Sequence, residues 1–147
     1  MSRPQFKEVL SNTFDNIMFL LSKKEERDLK ASLPSDLTIN EVKILYAIVL
    51  SKSRPTPTLI AKRLNVTKGT LTTNIDKLVK KGYVMRMESS SDARVTYLIL
   101  SESGNSAVEI YIDFHDSIID AVDDKLDAYE KSLLLIALSK IEDVLYD

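Results

Sequence analysis

The stretch that decides the fold is Asn65–Val84, NVTKGTLTTNIDKLVKKGYV. Its second half is an ordinary amphipathic helix. Its first half places Thr67, Lys68, Gly69, Thr70, Thr72, Thr73 and Asn74 where a helix prefers Ala, Leu or Glu. Leu71, Ile75, Leu78 and Val79 recur at three- and four-residue steps and define the inward face. The outward face then carries Lys68, Thr70, Thr72, Thr73, Asn74 and Lys77: short polar groups in front and a cation behind. Gly69 in the first turn lowers helix stability by about 1 kcal/mol relative to Ala, and its missing side chain allows close approach of the backbone. Amides at a helix N-terminus favour phosphate. Hydroxyls and amides suit base edges in the DNA major groove, and lysines suit the phosphates beside them. A solvated face without acids has the same composition, so the neighbouring segments must decide between the two readings.

Upstream, Thr56 and Pro57 read as a helix cap and the first helical residue. A short helix, Thr58 to Leu64, is expected to pack through Leu59, Ile60 and Leu64. Asn65 and Val66 make a tight turn and Thr67 caps the next helix, so that two helices joined by a few residues form a helix-turn-helix. Before the break at SKSRP, Thr38 with Glu41 forms a capping box ahead of an apolar stripe at Val42, Leu45, Ile48 and Val49. A longer first helix is marked by Phe6, Leu10, Phe14, Ile17 and Leu21; it fades into the charged SKKEERDLKASLPSD, with Pro34 as a stop.

Downstream, YVMRME and RVTYLIL read as two strands joined by the polar SSSDA. In this hairpin Asp92 lies two residues before Arg94, a spacing at which a carboxylate can orient a guanidinium. An arginine at a hairpin tip suits the narrow, electronegative minor groove. Ser101 and Gly104 restart a helix through AVEIYIDFHDSIIDAV, and a last helix runs from about Ala128 to Leu145. That last helix contains LLLIAL, apolar on every side, which must be covered on every side. The helix before it is also apolar on two faces: Val108, Ile112, His115 and Ile119 on one, Tyr111, Phe114 and Ile118 on the other. A second copy of the chain is the expected cover, with a packed monomeric core as the alternative.

The charge is distributed to match. Residues 1–51 hold 7 basic and 7 acidic side chains, residues 52–97 hold 10 and 3, and residues 98–147 hold 3 and 12, so a net charge of −2 conceals a strongly basic middle. With no cysteine, disulfides and thiolate chemistry are excluded. Three glycines form no phosphate loop, and the lone His115 has no nucleophile at recognisable spacing, so no catalytic residues and no enzyme are expected. His115 with Asp113, Asp116 and Glu25 is a poor zinc set; it reads as a packed or interfacial histidine, with no metal and no cofactor. No long apolar run or signal-peptide core occurs, giving a cytoplasmic expectation with no membrane partner.

The order LTINEVKILYAI, PTLIAKRLNVTKGTLTTNIDKLVKKGYVMR, SSSDARVTYLILSESG closely resembles the MarR family of winged helix-turn-helix regulators over about residues 37–104. The resemblance implies a mainly α, single MarR-like domain over 1–147. Residues 36–101 would form the winged helix-turn-helix with a two-stranded β-wing, and 1–35 and 102–147 would supply N- and C-terminal dimerisation helices. It implies a homodimeric transcriptional regulator, a repressor, on a pseudo-palindromic double-stranded DNA operator. Contacts are expected from Thr67, Lys68, Gly69, Thr70, Thr72, Thr73 and Lys77, with Arg94 entering the minor groove and Asp92 orienting it. Many relatives read Asp-Arg-Arg, whereas this chain has Ala93 in the middle.

LSNTFDNI with Glu25 and Glu26, LTINEV, VTKGTLTT and DFHDSII further resemble a subgroup that represses fatty-acid synthesis with long-chain acyl-acyl carrier protein as corepressor. An acyl chain or small apolar effector would need an apolar lining, for which Phe14, Ile17, Leu21, Leu45, Tyr111, Phe114 and His115 are the candidates, ordinary core being the alternative. The acidic balance outside the DNA-binding segment does not favour an acidic carrier protein. A winged-helix protein-interaction module without DNA binding is the rival function; it would be expected to have lost the basic surplus.

Overall fold

The computed structural model describes residues 1–52 and 54–146, the side chain of Tyr146 excepted. Ser53 in the expected break and Asp147 at the end of the expected dimerisation region lie outside the described residues. The elements are α1 (Arg3–Lys24), a π-helical turn (Glu25–Leu29), α2 (Lys30–Ser32), α3 (Ile39–Leu50), α4 (Pro57–Arg63), α5 (Lys68–Lys80), β1 (Val84–Glu88), β2 (Thr96–Leu100), α6 (Glu102–Asp123) and α7 (Ala128–Tyr146). The residues fall into two compact units, Met1–Tyr111 and Ile112–Asp147.

The charged stretch expected to end the first helix instead continues it, through the π turn to Ser32. Ion pairs along the helix offset the weak apolar content: Lys24 Nζ lies 2.8 Å from Asp28, and Arg27 Nε 2.6 Å from the same carboxylate. The Arg27 hydrogen bond, then that of Lys24, holds the Asp28 carboxyl well below the usual carboxylate range. Leu33, before Pro34, is extended at ψ 152°, as a residue preceding proline prefers, and the helix stops there. The two ends of this helix differ sharply: no residue of α1 is buried, whereas Leu29 at the end of the π turn has no exposed surface.

The core of the first unit is built by Leu29, Leu37, Val42, Leu45, Ile60, Leu71, Ile75, Leu78, Val84 and Leu98. Thr38 and Glu41 make the expected capping box, the Thr38 hydroxyl accepting from the Glu41 amide at 3.1 Å and Glu41 accepting from the Thr38 amide at 2.9 Å. Thr56 caps α4 with Pro57 at the first position. Two expected packing residues are exposed: Leu59, where Ala61 takes the inward place beside Ile60, and Val49 near the end of α3, where Ile44 and Ala47 are buried instead. The wing is an antiparallel pair running from Val84 opposite Leu100 to Glu88 opposite Thr96. The Leu98 amide donates to the Pro55 carbonyl at 2.8 Å, tying the segment before α4 to the outer side of β2.

Gly104 explains the LSESG sequence. A Cβ there would overlap the Tyr83 carbonyl oxygen and crowd Leu100, so the first turn of α6 can lie against that carbonyl only without a side chain. Around it the Ser101 amide donates to the Tyr83 carbonyl at 3.0 Å, and the Ser101 hydroxyl donates to the Gly82 carbonyl at 2.6 Å while accepting from the Gly104 amide at 3.1 Å.

In the second unit, Phe114 is buried and meets the His115 ring edge-on, with centroids 5.3 Å apart. Ile119, Leu133, Leu135, Ile136 and Leu138 are exposed in the single chain. Among the described residues, no helix is long and apolar enough to cross a membrane.

Candidate nucleic-acid interface

α5 is held from three sides. Leu71, Ile75 and Leu78 have no exposed surface, so the helix cannot roll without opening the core. Its start is set by Asn65, which takes a left-handed backbone at φ 52°, a conformation asparagine tolerates better than most residues. Thr67 then caps the helix, its hydroxyl accepting from the Thr70 amide at 3.1 Å.

Its far end is locked by a polar cluster that the sequence reading missed. Lys81 Nζ bonds both oxygens of Glu41 at 2.7 and 2.8 Å and also the Asp36 carbonyl, and Tyr83 donates to Asp36 Oδ1 at 2.8 Å. Burial opposes ionisation of Glu41, but the bonds from Lys81 and Thr38 outweigh it and leave its pKa lowered. Burial, with Asp36 accepting from the hydroxyl, pushes the Tyr83 phenol up to about 12. The signal for this cluster was the Glu41 capping position, which is 5% exposed and so needs a cation, not only a cap.

The expected outward residues Lys68, Gly69, Thr70, Thr72, Thr73 and Lys77 are all exposed, and Asn74 is half-buried. Their polar groups are not idle. Thr72 Oγ1 donates to the Lys68 carbonyl at 2.8 Å, Thr73 Oγ1 to the Gly69 carbonyl at 3.1 Å, and the Asn74 side-chain amide to the Thr70 carbonyl at 3.0 Å. The Thr67 and Thr70 hydroxyls pair at 2.8 Å. Around Gly69 there is open space, with no atom within 4 Å of where a Cβ would sit, so nothing inside the protein explains the glycine. Clefts flank the helix on two sides. One, of about 300 Å³, is lined by Thr56, Thr58, Lys68, Arg94 and Thr96; the other, of about 330 Å³, by Asn40, Lys43, Val66, Thr70 and Asn74.

Lys68 and Arg94, assigned from sequence to different grooves, thus share the walls of one cleft, together with the hydroxyl-bearing Thr56, Thr58 and Thr96. These three threonines were not singled out as site residues: Thr56 reads as a cap, and the start of α4 comes beside the wing through contacts distant in sequence, the Leu98 to Pro55 bond and the Arg54 guanidinium over the Tyr97 ring among them.

The expected grip of Asp92 on the Arg94 guanidinium does not form. Asp92 Oδ1 accepts instead from the Arg94 backbone amide at 2.9 Å, and the Asp92 carbonyl accepts from the Val95 amide at 3.0 Å. A short side chain next to a turn finds a backbone donor two residues on more readily than a mobile guanidinium. Asp92 therefore shapes the turn, and Arg94 is exposed beside the cleft it shares with Lys68. The other wing arginine, Arg86, is engaged with Asp76 at 2.6 Å.

The apolar effector set is divided. Leu45 is closed within the core, Tyr111 is buried with its ring centroid 5.0 Å from that of Tyr46, Phe14 and Ile17 are exposed, and Leu21 is half-buried. Phe114 and His115 belong to the second unit. Among the described residues, no group of three or more His, Asp or Glu is placed to hold a metal ion.

A capped, core-locked helix with an exposed polar face, preceded by a short helix and followed by a basic two-stranded wing, defines a winged helix-turn-helix DNA-binding protein. Residues 37–96 match the MarR family. The chain is 33% identical over 106 residues to the HTH-type transcriptional repressor YetL of Bacillus subtilis, covering 71% of this chain and 64% of that protein. It is 26% identical over 132 residues to the HTH-type transcriptional regulator YwhA of the same organism, 89% of this chain and 94% of that one. FabT of Streptococcus pneumoniae, in a crystal structure in complex with DNA, superposes with a TM-score of 0.80 at 28% identity, over 99% of both chains. The chain belongs to the MarR family of HTH transcriptional regulators, and it is a DNA-binding regulator, not an enzyme.

Proposed function

We propose that the protein represses transcription as a homodimer on a pseudo-palindromic operator, and that it responds to an apolar or acyl effector. The observation that carries the DNA geometry is the cleft shared by Lys68 and Arg94 at the end of the exposed threonine strip. One strand's phosphates, where they separate a major from a minor groove, pass over this cleft. Lys68 then reaches them from the major-groove side and Arg94 from the minor. Thr67, Gly69, Thr70, Thr72 and Thr73 enter the major groove, with Lys77 behind them. Support for the dimer comes from the exposed apolar residues of α1 and α7, among them Phe6, Phe14, Phe19, Leu135 and Ile136, which water would not leave uncovered. On this reading residues 1–35 and 102–147 are the dimerisation helices.

The likeness to FabT, a fatty-acid-synthesis repressor, supports the same subgroup for this chain and a long-chain acyl-acyl carrier protein as the effector to try first.

The test is recovery of bound fragments from genomic DNA, followed by affinity measurements across a salt series. Lys68→Ala and Arg94→Ala should each reduce the slope of log K against log salt by about one. Slopes equal to wild type for both would remove the docking geometry. An operator affinity indifferent to long-chain acyl-acyl carrier protein would remove the lipid effector and leave the regulator intact. No enriched fragment, even at low salt, would favour the protein-interaction module.

A further inference from the structure

The hydrogen bonds within α5 restrict what it can say to a base pair. Thr72 and Thr73 are both exposed, yet each hydroxyl hydrogen is given to the carbonyl four residues back, on Lys68 and Gly69. In a helix this back-bonding draws Oγ1 onto the helix surface. The tetrahedral Cβ then carries the γ-methyl away from that carbonyl, toward whatever faces the helix. Thr73 and Gly69 are four residues apart and lie one above the other on the face opposite Leu71, Ile75 and Leu78. The centre of the reading surface is therefore a bare stretch of backbone followed by a methyl group.

In the major groove, guanine presents two acceptors, adenine and cytosine each a donor, and thymine a 5-methyl group as well as an acceptor. A threonine whose proton is already committed has no donor for guanine N7 or O6. Its lone pairs can meet adenine N6 or cytosine N4, but every base pair offers one of those two donors, so this contact discriminates little. The thymine methyl is the feature that only A·T pairs carry.

Resting on the DNA-reading role proposed above, we infer that the γ-methyls of Thr72 and Thr73 select thymine in each half-site, and that their hydroxyls serve the helix and not the base.

The experiment uses the full-length protein and the duplex that it selects from a random-sequence library, with each thymine replaced in turn by deoxyuridine. That exchange removes one methyl and no hydrogen-bonding group. Loss of a single methyl contact corresponds to about a fourfold weakening, expected at one or two positions per half-site and absent elsewhere. Thr72→Val and Thr73→Val keep the methyl and lose the hydroxyl; both should retain the sensitivity to deoxyuridine. Thr72→Ser and Thr73→Ser keep the hydroxyl and lose the methyl; each should lose the sensitivity to deoxyuridine at the thymine that its own methyl meets. Indifference of the wild-type protein to every replacement overturns the inference, as does a sensitivity that survives both serine variants. Selection of no preferred duplex at all would instead remove the operator reading, and the inference with it.

Discussion

Replacing Gly69 by alanine separates folding from DNA binding, because the two respond with opposite sign. No protein atom lies within 4 Å of the position a Cβ would take, and Gly69 does not have a positive φ, so alanine is accommodated without strain. Near the start of a helix the exchange should stabilise the fold by about 0.5–1 kcal/mol. For a chain of this size that raises Tm by about 2–4 °C. On DNA the same Cβ projects about 1.5 Å from the backbone into the space where the groove would close on the helix. Hydrogen bonds lengthened by that amount leave their useful range. Losing one charge-assisted bond of about 2 kcal/mol weakens binding roughly 30-fold. Thermal melts at a fixed protein concentration and fluorescence anisotropy on the selected duplex read the two effects. A variant that is more stable yet binds at full strength would show that Gly69 is not at the contact. A variant that loses stability would show that the local backbone is not as described.

Three further substitutions probe the supports of the site. Asp92→Asn should bind DNA like wild type, since an amide oxygen can accept from the Arg94 backbone as the carboxylate does, whereas Asp92→Ala should weaken binding several-fold; equal losses in both would restore a charge-based grip on the guanidinium. Gly104→Ala should destabilise the protein by about 2–3 kcal/mol through overlap with the Tyr83 carbonyl, read as a lowered midpoint in urea, and an unchanged midpoint would contradict the packing. Lys81→Ala should lower stability at neutral pH by about 2 kcal/mol, the figure being reduced because Lys81 is partly exposed. The folded-state pKa of Glu41 is depressed, so its contribution is present above the ordinary value of 4.5 and is lost as pH falls below it; the gap between wild type and variant should therefore narrow on acidification, and a gap constant from pH 7 to pH 3 would refute the pairing.

Much of this architecture could be read locally. Caps at Thr38, Thr56 and Thr67, the proline at Pro57, the inward stripe of α5 and the hairpin all depend on residues within a few positions of one another, and they stand where the pattern puts them. What was misread depends on distance or on competition. The charged stretch after α1 has low apolar content, and burial of Leu29 and the Glu25 bond to Lys43 of α3, neither visible locally, accompany the Lys24, Arg27 and Asp28 pairs along it. Leu59 matches the helical stripe of a seven-residue element too short for periodicity to choose between neighbours. The Asp92 side chain had a guanidinium and an amide within reach, and spacing alone does not rank them. Lys81 meets Glu41 across 40 positions of sequence, which no local pattern encodes. Thr56, Thr58 and Thr96 join Lys68 and Arg94 only because the chain folds the start of α4 beside the wing.

The junction at Gly82, Tyr83, Ser101 and Gly104 has a mechanical meaning. Within these few residues the end of the reading helix, both roots of the wing and the first turn of α6 are fastened together, and the contact at Gly104 is backbone against backbone. Side chains yield by changing rotamer; a carbonyl resting on a bare Cα does not. The first turn of α6, the end of α5 and both roots of the wing thus share one stiff joint.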